Sequence, residues 1–577
     1  MLNVLKINLD GSALLIDEAH NIEKVCEDSH SSELSTKTID SCLEDLKGIS
    51  ILVDKRNDSL TEFPQLGKSK LDTKEEFLRN IDKNKLHENE NILVSLKNYL
   101  KSLDVKQGFW PNVGRRFSSK DLFEMIFEGS KKQDPNQSLI SGFIAKSSSS
   151  NANRIGFDPN NLAEHIEFLK NLDEGITQEF NKNSNLSAYV DFLNLIKELY
   201  LNYITLLKKE DQIYKIENDY DCLINNYKIF VLDEEEGNGN QNFNNQKTQK
   251  NRDSYAGKVR KISLFCLNPG LGFKHIIDSG VASIILTSGT LSPINSMEAE
   301  LKCDFKIKLE NKHVIDPKQV NFSILKNSLD NSKTVFDFRS NNRGFEMNEK
   351  LGHVICDLIK VTPPGTGVLC FFTSYAFMQS CIEAWSKKSI ISEIERSKEI
   401  FKDVQNARSK TGNIIQSFND ACGDGITNKR CRGAILFSVF RGNSSEGIDF
   451  SDEKARMVII VGIPYPNLGD MKVNLKKEFL DEFARKPNKM PSLKLKSNEW
   501  YLQSALKAVN QALGRVIRHT YDFGSMVLID TRYKELVNQN AFSKWLRENH
   551  KVYEDKLILE RNKNFFDEMK CKLKNFY

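Results

Sequence analysis

The sequence predicts an α/β fold built on doubly wound parallel sheets, with a helical insertion near its start. Three observations carry this prediction. Short, continuous apolar runs recur along the chain, as is typical of strands that helices cover on both faces. Between them, apolar residues recur at helical spacings of three and four. Small or charged residues follow several of the runs, and ligands of open α/β sheets bind at such strand ends.

Length, charge and cysteine content bound the class of protein. A chain of 577 residues is too long for one hydrophobic core, so we expect about three or four domains. The net charge of +4 gives no indication of nucleic acid, so any DNA path depends on local clustering of the 82 lysines and arginines. No run of about 18 apolar residues predicts a membrane span, and the start shows no signal peptide. The 11 scattered cysteines indicate a reduced, intracellular protein without a zinc site.

The first part of the chain alternates between strand and helix patterns. Residues 13–17 (ALLID) predict a buried parallel strand that ends in an acid. Residues 25–215 predict a helical insertion. Residues 234–252 are of low complexity and predict disorder, because they offer little to bury. Strands are expected again at 261–267 and 282–287.

A second alternating region begins after residue 300. Its predicted strands are 367–373, 433–439, 457–462 and 525–530. Its predicted helices are 344–360, 375–387, 411–421, 471–485 and 499–518. This alternation predicts a second parallel sheet.

The acid pair Asp17-Glu18 stands at the end of the first predicted strand. Both carboxylates therefore reach the carboxyl edge of the sheet. There Asp17 could hold Mg²⁺ through water, and Glu18 could polarise an attacking water. The alternative is a pair of acids at a helix N-terminus, which acidic residues favour. The apolar run before the pair and Ala-His-Asn after it favour the chemical interpretation.

Two further loops follow predicted strands. The hydroxyls of Thr287-Ser288-Gly289-Thr290 could bond a nucleotide-site acid and a neighbouring loop, although a Ser/Thr helix cap is the alternative. Residues 440–450 (FRGNSSEGIDF) combine two glycines with hydroxyls, so backbone N–H groups could face phosphate or ribose. The alternative there is a turn between strand and helix.

The stretch 511–518 (QALGRVIR) is predicted to be helical. Gln511, Arg515 and Arg518 are spaced four and three apart and would share a helix face. A glycine at position 514 costs about 1 kcal/mol of helix stability relative to alanine. Close approach of another group could explain why a glycine stands there. Arginine forks suit phosphate oxygens, and an acid pair combined with arginines is what phosphoryl transfer requires. An exposed basic face is the alternative.

A P-loop is missing from the sequence. Such a loop reads Gly-x-x-x-x-Gly-Lys-Ser/Thr. Gly67-Lys68-Ser69 is the only Gly-Lys-Ser/Thr, but position 62 is Glu and no apolar strand precedes it. The few residues before Asp17 leave no room for a P-loop strand and helix.

These blocks, in this order, resemble the ATP-dependent DNA helicases of superfamily 2, in the iron–sulfur branch that includes XPD and FancJ. The FancJ-like (Fanconi anaemia group J) members are the nearest match. The resembling blocks are LLIDEAHNIEKVCEDS, FCLNPGLGF with IILTSGTLSPINSMEAEL, RGNSSEGIDFSDEKARMVIIVGIPYPN and ALKAVNQALGRVIRHTYDFGSMVLIDTRY.

The resemblance implies two RecA-like motor domains that close on ATP, and a helical Arch-type insertion. The expected division is 1–24 (remnant of the first RecA-like domain with the DEAH box), 25–215 (Arch-like insertion), 216–255 (connection with the low-complexity linker), 256–300 (return to the first RecA-like domain) and 301–577 (second RecA-like domain).

The resemblance also implies roles for individual residues. At the nucleotide these are Asp17 for Mg²⁺, Glu18 for water activation, Gly447 and Asp449 in the nucleotide-facing loop, and Gln511, Arg515 and Arg518 as catalytic residues from the second motor domain. In the coupling of the nucleotide site to DNA they are His20, Ser288 and Thr290. Near the DNA backbone they are Arg441, Thr373, Ser374 and Tyr375. The family moves 5′ to 3′ on single-stranded DNA and unwinds forks, which implies a nuclear location and DNA-repair partners.

Two departures from the family pattern matter. The P-loop and the four cysteines that hold a [4Fe–4S] cluster, which family members carry before the acid block, are absent. In the motif Arg-Gly-Lys-Val-Ser-Glu-Gly, Asn443 and Ser444 replace Lys and Val, which removes one basic contact. We therefore expect an N-terminally incomplete helicase that does not hydrolyse ATP unaided. The alternative is a non-catalytic DNA-binding or scaffold module.

Overall fold

The computed structural model describes two compact units. Unit 1 comprises Met1–Ile22 and Ser279–Tyr577, and unit 2 comprises Glu23–Asp278. The described residues are 8–62, 73–102, 114–117, 161–207, 226–235, 258–311, 315–339, 342–404, 408–423, 432–442, 450–485, 495–538, 542–547 and 550–574. No helix among them is both long and apolar enough for a membrane span.

Strands and helices alternate through most of the described chain. The strands are β1 (Ala13–Ile16), β2 (Ser32–Ser35), β3 (Gly114–Phe117), β4 (Tyr227–Glu235), β5 (Lys258–Cys266), β6 (Ser283–Leu286), β7 (Val320–Leu325), β8 (Val368–Phe372), β9 (Glu399–Lys402), β10 (Ala434–Val439), β11 (Met457–Val461), β12 (Gly524–Ile529) and β13 (His550–Tyr553). The α-helices are α1 (Ile22–Ser29), α2 (Thr36–Glu62), α3 (Thr73–Arg79), α4 (Lys83–Ser102), α5 (Leu162–Phe180), α6 (Leu186–Leu207), α7 (Pro269–Asp278), α8 (Ile294–Leu301), α9 (Phe345–Lys360), α10 (Tyr375–Lys387), α11 (Ile390–Ser397), α12 (Arg408–Ala421), α13 (Met471–Arg485), α14 (Ser497–Leu513), α15 (Tyr533–Asn538), α16 (Lys544–Arg547) and α17 (Leu557–Lys574).

Unit 2 combines helices with a four-stranded antiparallel sheet in the order β2-β5-β4-β3. The helices were predicted from their apolar spacing, whereas the sheet was not. Strand β5 was assigned to the return segment 256–300, yet it pairs with β2 and β4. The compact units therefore divide after Asp278 and not at 256. The pattern of β5 identifies a strand but carries no information about its partners. Of the predicted linker 234–252, only the first two residues lie among the described ones.

Arg260 ties the sheet of unit 2 to a helix end. Its guanidinium is buried and donates to both carboxylate oxygens of Asp233, at 2.6 and 3.0 Å. It also donates to the backbone oxygens of Leu100 and Lys101 in the last turn of α4. One cation thus satisfies helix carbonyls that have no partner within the helix.

Unit 1 is organised around a seven-stranded sheet in the order β13-β7-β12-β11-β8-β10-β9, and every pairing is parallel. All residues of β7, β8, β10, β11 and β12 are buried. Alternate residues of β8 enter different cores: Cys370 packs with α9 and α10, and Leu369 and Phe371 pack with α12 and α14. This arrangement confirms the predicted doubly wound parallel sheet.

A separate pair of parallel strands, β1 and β6, carries the acid pair and the hydroxyl loop at its carboxyl end. The prediction of a buried strand at 13–17 was wrong about burial. Leu15 is 65% exposed and Ile285 is 53% exposed. In the described residues β1 and β6 pair only with each other, so their faces lack the helical cover that a wide parallel sheet receives.

The predicted helix 499–518 begins at Ser497 and ends at Leu513. Arg515 and Arg518 therefore do not continue the helix, and the prediction that Gln511, Arg515 and Arg518 share one helical face was wrong. Gly514 is the C-cap, and a turn follows it. The spacing of residues alone cannot reveal that α14 ends at Leu513. The end depends on Asp522, whose carboxylate accepts a hydrogen bond from the Arg518 N–H.

Lys302 lies in a left-handed conformation just after α8, with its ammonium 3.8 Å from the Phe483 ring centroid. Burial, followed by the nearby Lys476, lowers the pKa of Lys302 from 10.5 to about 8, while Glu300 opposes this shift. Glu300 is itself paired with Lys476 at 3.4 Å. Lys302 is therefore buried beside Glu300, a carboxylate that already has Lys476 as its partner.

Lys302→Met is expected to raise the free energy of unfolding by about 1–2 kcal/mol at pH 7. Below pH 8 the lysine is charged in both states, and burying that charge costs stability. Between pH 8 and 10.5 the unfolded chain binds more protons, so the wild type gains stability as pH rises and the difference shrinks. Urea unfolding at pH 7 and at pH 10.5 measures this, with exposed Lys306→Met as the control. A difference independent of pH would contradict it.

Candidate functional site

The acid pair lies at the carboxyl end of β1, as predicted. Asp17 and Glu18 are both exposed, and Glu18 has a left-handed backbone with φ of 49°. The backbone N–H of Glu18 donates to Asp17 Oδ1 at 2.9 Å. Non-glycine residues seldom adopt this conformation, which turns the two consecutive carboxylates in different directions.

Glu18, His20 and Ser288 form a hydrogen-bonded triad across β1 and β6. Ser288 Oγ donates to Glu18 Oε2 at 2.9 Å, and His20 Nδ1 lies 3.0 Å from both Ser288 Oγ and Glu18 Oε2. An ionised carboxylate can only accept, so the hydroxyl and the imidazole must both donate. This requires the proton on Nδ1 of His20. The sequence predicted the hydroxyl-to-acid bond, and the structure adds the imidazole.

The hydroxyl loop also reaches the end of α14. The Thr290 N–H donates to Ser288 Oγ at 3.3 Å, and the Ala19 N–H donates to the Thr287 carbonyl at 3.0 Å. A Cβ added at Gly514 would lie 4.0 Å from Thr290 Cγ2. The hydroxyl loop beside the acid triad and the arginine-bearing turn, which are distant in sequence, therefore lie near each other at Thr290 and Gly514.

The turn after α14 carries the predicted arginines. Gln511 is half-buried in the last turn of the helix, Arg515 is half-buried and Arg518 is exposed. The N–H groups of Gly514 and Arg515 donate to Asn510 and Ala512 respectively, so the chain tightens as it leaves the helix. Both guanidinium groups belong to this turn rather than to a regular helical face.

A buried ion pair that was not predicted holds the turn. Asp522 is fully buried; its Oδ2 accepts from the Arg518 N–H at 3.0 Å, and its Oδ1 accepts from Arg456 Nη1 at 2.5 Å. Arg456 also donates to the Phe523 carbonyl and lies 4.0 Å from that ring centroid. An acid four residues after Arg518 was the available sequence signal, but acids near turns are common.

Two outer contacts fix the same turn. The Gln319 side-chain amide donates to the backbone oxygens of Thr520 and Asp522. His519 Nε2 lies 2.9 Å from Asp452 Oδ1. Asp452, His519 and Asp522 are the one group of three metal-ligand types that comes together among the described residues. Because Arg456 already neutralises Asp522, we assign this group to the turn and not to a cation.

The residues predicted near DNA lie after β8 and β10 of the seven-stranded sheet. The Ser374 hydroxyl caps α10 by accepting from the Phe377 N–H, and Tyr375 donates to the buried Asp403. Thr373 Oγ1 accepts from Arg343 Nη2 at 3.2 Å. Arg343 was not predicted as a residue of this site, because it stands in no recognisable motif.

Arg441 follows β10 with a φ of 59°. Its guanidinium donates to the carbonyls of Pro464, at 3.2 Å, and Ser504, at 2.8 Å. It thus joins the end of β10 to the loop after β11 and to α14. A Cβ on the next residue, Gly442, would lie 2.7 Å from the Tyr375 hydroxyl, so this position requires glycine. Gly447 and Asp449 lie outside the described residues.

The side chains of the described residues can be compared with the ligands that Mg²⁺ and an iron–sulfur cluster require. Asp17 presents an exposed carboxylate beside the triad, which fits Mg²⁺, since this ion uses one or two protein carboxylates and takes its other ligands from water and phosphate. The described cysteines are free and mostly buried singly within cores, and no three of them come together. They do not fit an iron–sulfur cluster, so we derive no step through one.

Residues 355–549 match the helicase C-terminal domain family, and residues 1–39 match the DEAD_2 family. The two matches contain the arginine turn and the acid triad's Glu18 and His20. Two segments of the chain thus match models of helicase domains.

Curated proteins that are named as helicases resemble most of this chain. A "Regulator of telomere elongation helicase 1 homolog" from Arabidopsis thaliana is 30% identical over 559 residues, which cover 95% of this chain and 46% of the relative. A homolog of the same name from Drosophila melanogaster is 27% identical, covering 94% and 49%. The chain thus spans about half the length of the curated relatives it matches. These names support the helicase family, not the FancJ-like subgroup in particular.

Among solved structures, the chain is similar to "XPD_APO", with a TM-score of 0.44 at 17% identity over 96% of this chain and 79% of that one. It is also similar to "Structure of S. tokodaii Xpd4", with a TM-score of 0.44 at 13% identity over 93% and 75%.

Proposed function

We propose that this chain supplies the motor machinery of an ATP-dependent DNA helicase that moves 5′ to 3′ on single-stranded DNA. The observation that carries the proposal is the meeting of Thr290 with Gly514, which joins the triad at Glu18 to the turn bearing Arg515 and Arg518. An acid that activates water and arginines that stabilise phosphate charge are needed on opposite sides of one phosphate.

Each residue has one task in this mechanism. Asp17 would hold Mg²⁺, and the bound ion would neutralise charge on the ATP phosphates. Glu18 accepts a hydrogen bond from the attacking water, and its orientation is fixed by Ser288 and His20. Because Ser288 also accepts from the Thr290 N–H, a change at the acid alters the loop that contacts Gly514. This relay is the route by which the nucleotide site and DNA movement are coupled.

The arginines supply the charge that the leaving phosphate requires. Arg515 and Arg518 contact the phosphate oxygens. Gln511 lies in the last turn of α14, just before the turn that carries both arginines. Gly447 and Asp449, which lie outside the described residues, are assigned to the nucleotide-facing loop by the sequence resemblance alone. Thr373, Ser374, Tyr375 and Arg441 lie near the DNA backbone, although the hydroxyls of Ser374 and Tyr375 and the Arg441 guanidinium already have protein partners.

The finer assignments are also proposals. We infer that residues 1–22 and 279–300 belong to one RecA-like motor domain, that 301–577 form the second, and that the insertion 25–215 is of the Arch type. Membership of the FancJ-like subgroup, a nuclear location and DNA-repair partners stay predictions from the sequence resemblance.

A non-catalytic DNA-binding or scaffold module is the second candidate function. The two functions differ in ATP turnover. We expect none from the chain alone, and turnover from a fusion that joins a P-loop segment of this helicase family to its N-terminus (the P-loop fusion). A fusion that binds ATP and DNA but releases no phosphate would support the scaffold.

Single-stranded DNA is expected to bind the chain with an affinity that falls steeply with salt. Contact with phosphates releases counterions, so the logarithm of the binding constant should decrease linearly with the logarithm of salt concentration, by about 0.7 per phosphate neutralised. Fluorescence anisotropy of a labelled oligonucleotide, titrated at salt concentrations from about 50 to 200 mM, measures the slope. Salt-independent binding, or none, would contradict the proposal.

A further inference from the structure

One buried carboxylate joins three helices of unit 1. Glu300 lies in the last turn of α8 and is 7% exposed. Its Oε2 lies 3.4 Å from the ammonium of Lys476 in α13, and its Oε1 lies 3.9 Å from that of Lys507 in α14. The two oxygens therefore pair with two different helices. Because these charges are largely withdrawn from water, removing the carboxylate disrupts the contact strongly.

Polar contacts, rather than a shared apolar core, hold α8 against α14. The core that α14 enters contains no residue of α8 in the described part of the chain. Ser296 shares a face of α8 with Glu300, and Asn510 shares a face of α14 with Lys507, because their spacings are four and three. The Ser296 hydroxyl and the Asn510 amide are buried without hydrogen-bond partners among the described residues. Such groups oppose the contact, so the ion pairs of Glu300 keep these faces together.

Helices α8 and α14 carry the two halves of the proposed phosphate site. Only residues 291–293 separate Thr290 from α8, and α14 ends directly before Gly514. Glu300 and Lys507 each lie about 10 Å along their helices from these ends. The helices therefore approach at two points: at Glu300 and Lys507, and at Gly514, where an added Cβ would lie 4.0 Å from Thr290 Cγ2. Two contacts fix the relative placement of two rigid helices, whereas one does not.

We propose that Glu300 is a positioning residue of the phosphate site. By pairing with Lys476 and Lys507 it holds α8 against α13 and α14, and so sets where the hydroxyl loop stands relative to the arginine-bearing turn. The inference rests on the proposed function, because it concerns the same site. Misplacing a reacting group by about 1 Å can lower a rate by about 100-fold, so a contact remote from the phosphates can control turnover.

Glu298 provides a matched control on the same helix. It is also a buried carboxylate, but its partners lie in the segment that follows α8. Its Oε1 accepts from the Phe305 N–H at 2.9 Å, and its Oε2 accepts from Lys308 Nζ at 2.8 Å. Glu298→Gln and Glu300→Gln therefore remove the same charge from one buried helix, and only Glu300→Gln removes the link to α13 and α14.

The first measurement is a disulfide between Thr290→Cys and Gly514→Cys in the full chain, formed with oxidised glutathione and identified by the mass of the joined peptides. The approach of the two positions suits a disulfide. We expect the crosslink in this parent and in its Glu298→Gln variant, and its loss for the most part in the Glu300→Gln variant. Lys507→Met removes the link to α14 and keeps Lys476. It should also lower the crosslink, and it replaces Glu300→Gln if that variant does not fold.

The second measurement is ATP turnover by the P-loop fusion. Glu300→Gln should lower kcat about 10- to 100-fold, because the acid and the arginines no longer meet the phosphate in the productive geometry. The KM for ATP should stay nearly unchanged, because the P-loop still binds the nucleotide. Glu298→Gln should keep the kcat of the unchanged fusion, whereas a merely structural role would lower the active fraction in both variants.

The outcomes separate this inference from the proposed function. Equal crosslinking in Glu300→Gln and Glu298→Gln, or an unchanged kcat in Glu300→Gln, would overturn the positioning role and leave the proposed function standing. A parent that does not crosslink would overturn the placement from which the role is inferred. A P-loop fusion without turnover would overturn the proposed function, and with it any role of Glu300 in that function, even where the crosslink depends on Glu300.

Discussion

Arg518→Ala is expected to lower ATP turnover of the P-loop fusion by about 10³- to 10⁵-fold while ATP and DNA still bind. An arginine that meets the transferring phosphoryl group stabilises charge that is present only in the transition state, so its loss falls on kcat and not on KM. Phosphate release under saturating ATP and single-stranded DNA measures the effect. Arg518 is exposed, so the fold should be unaffected.

Arg561→Ala is the matched control, because it removes an exposed arginine from α17, away from the turn. It should keep wild-type turnover. Near-normal turnover in Arg518→Ala would refute the catalytic assignment of the turn. A loss confined to KM would assign Arg518 to substrate binding instead.

Asp522→Asn is expected to destabilise unit 1 by about 3–5 kcal/mol, because the neutral amide removes the one buried counter-charge of Arg456, whose other acidic neighbours, Glu453 and Asp452, are half exposed. The Asp522 and Arg456 side chains are nearly inaccessible to water. Strands β11 and β12 begin beside this pair, so hydrogen exchange of their amides should accelerate. The Arg518 amide should also exchange faster, since its acceptor oxygen is replaced or turned away.

The double variant Arg456→Met/Asp522→Asn separates charge burial from turn positioning. Without either charge no desolvation penalty is left, so most of the stability should return. The Arg518 amide should still exchange faster than in wild type, because the carboxylate that accepted it is gone. Wild-type exchange at Arg518 in the double variant would contradict a positioning role for Asp522.

Much of the second sheet could be predicted from the sequence. Apolar runs predicted β8, β10, β11 and β12 to within a residue or two, because strands covered on both faces contain little else. Helices α10 and α13 were predicted with their observed bounds. The short edge strands β9 and β13 were missed, since half-exposed strands of four residues carry a weak pattern.

The candidate site was predicted in parts. The hydroxyl-to-acid bond followed from strand ends, since Ser288 and Glu18 both follow parallel strands that were expected in one sheet. The prediction that another group approaches Gly514 closely was wrong, because a Cβ added there would lie no nearer than 3.4 Å to any other atom. The Asp522–Arg456 pair was not predictable, because its members are far apart in sequence and neither stands in a distinctive pattern.

The sequence by itself determined which residues can perform the chemistry and which runs become buried strands, because residue type and apolar periodicity are local properties. Only the tertiary structure decided where α14 ends, which strands β5 joins, and that Thr290 meets Gly514. Those outcomes depend on partners brought together from distant positions: a buried carboxylate accepting the Arg518 amide, edge hydrogen bonds of β2 and β4, and packing at a helix end. No local pattern contains that information.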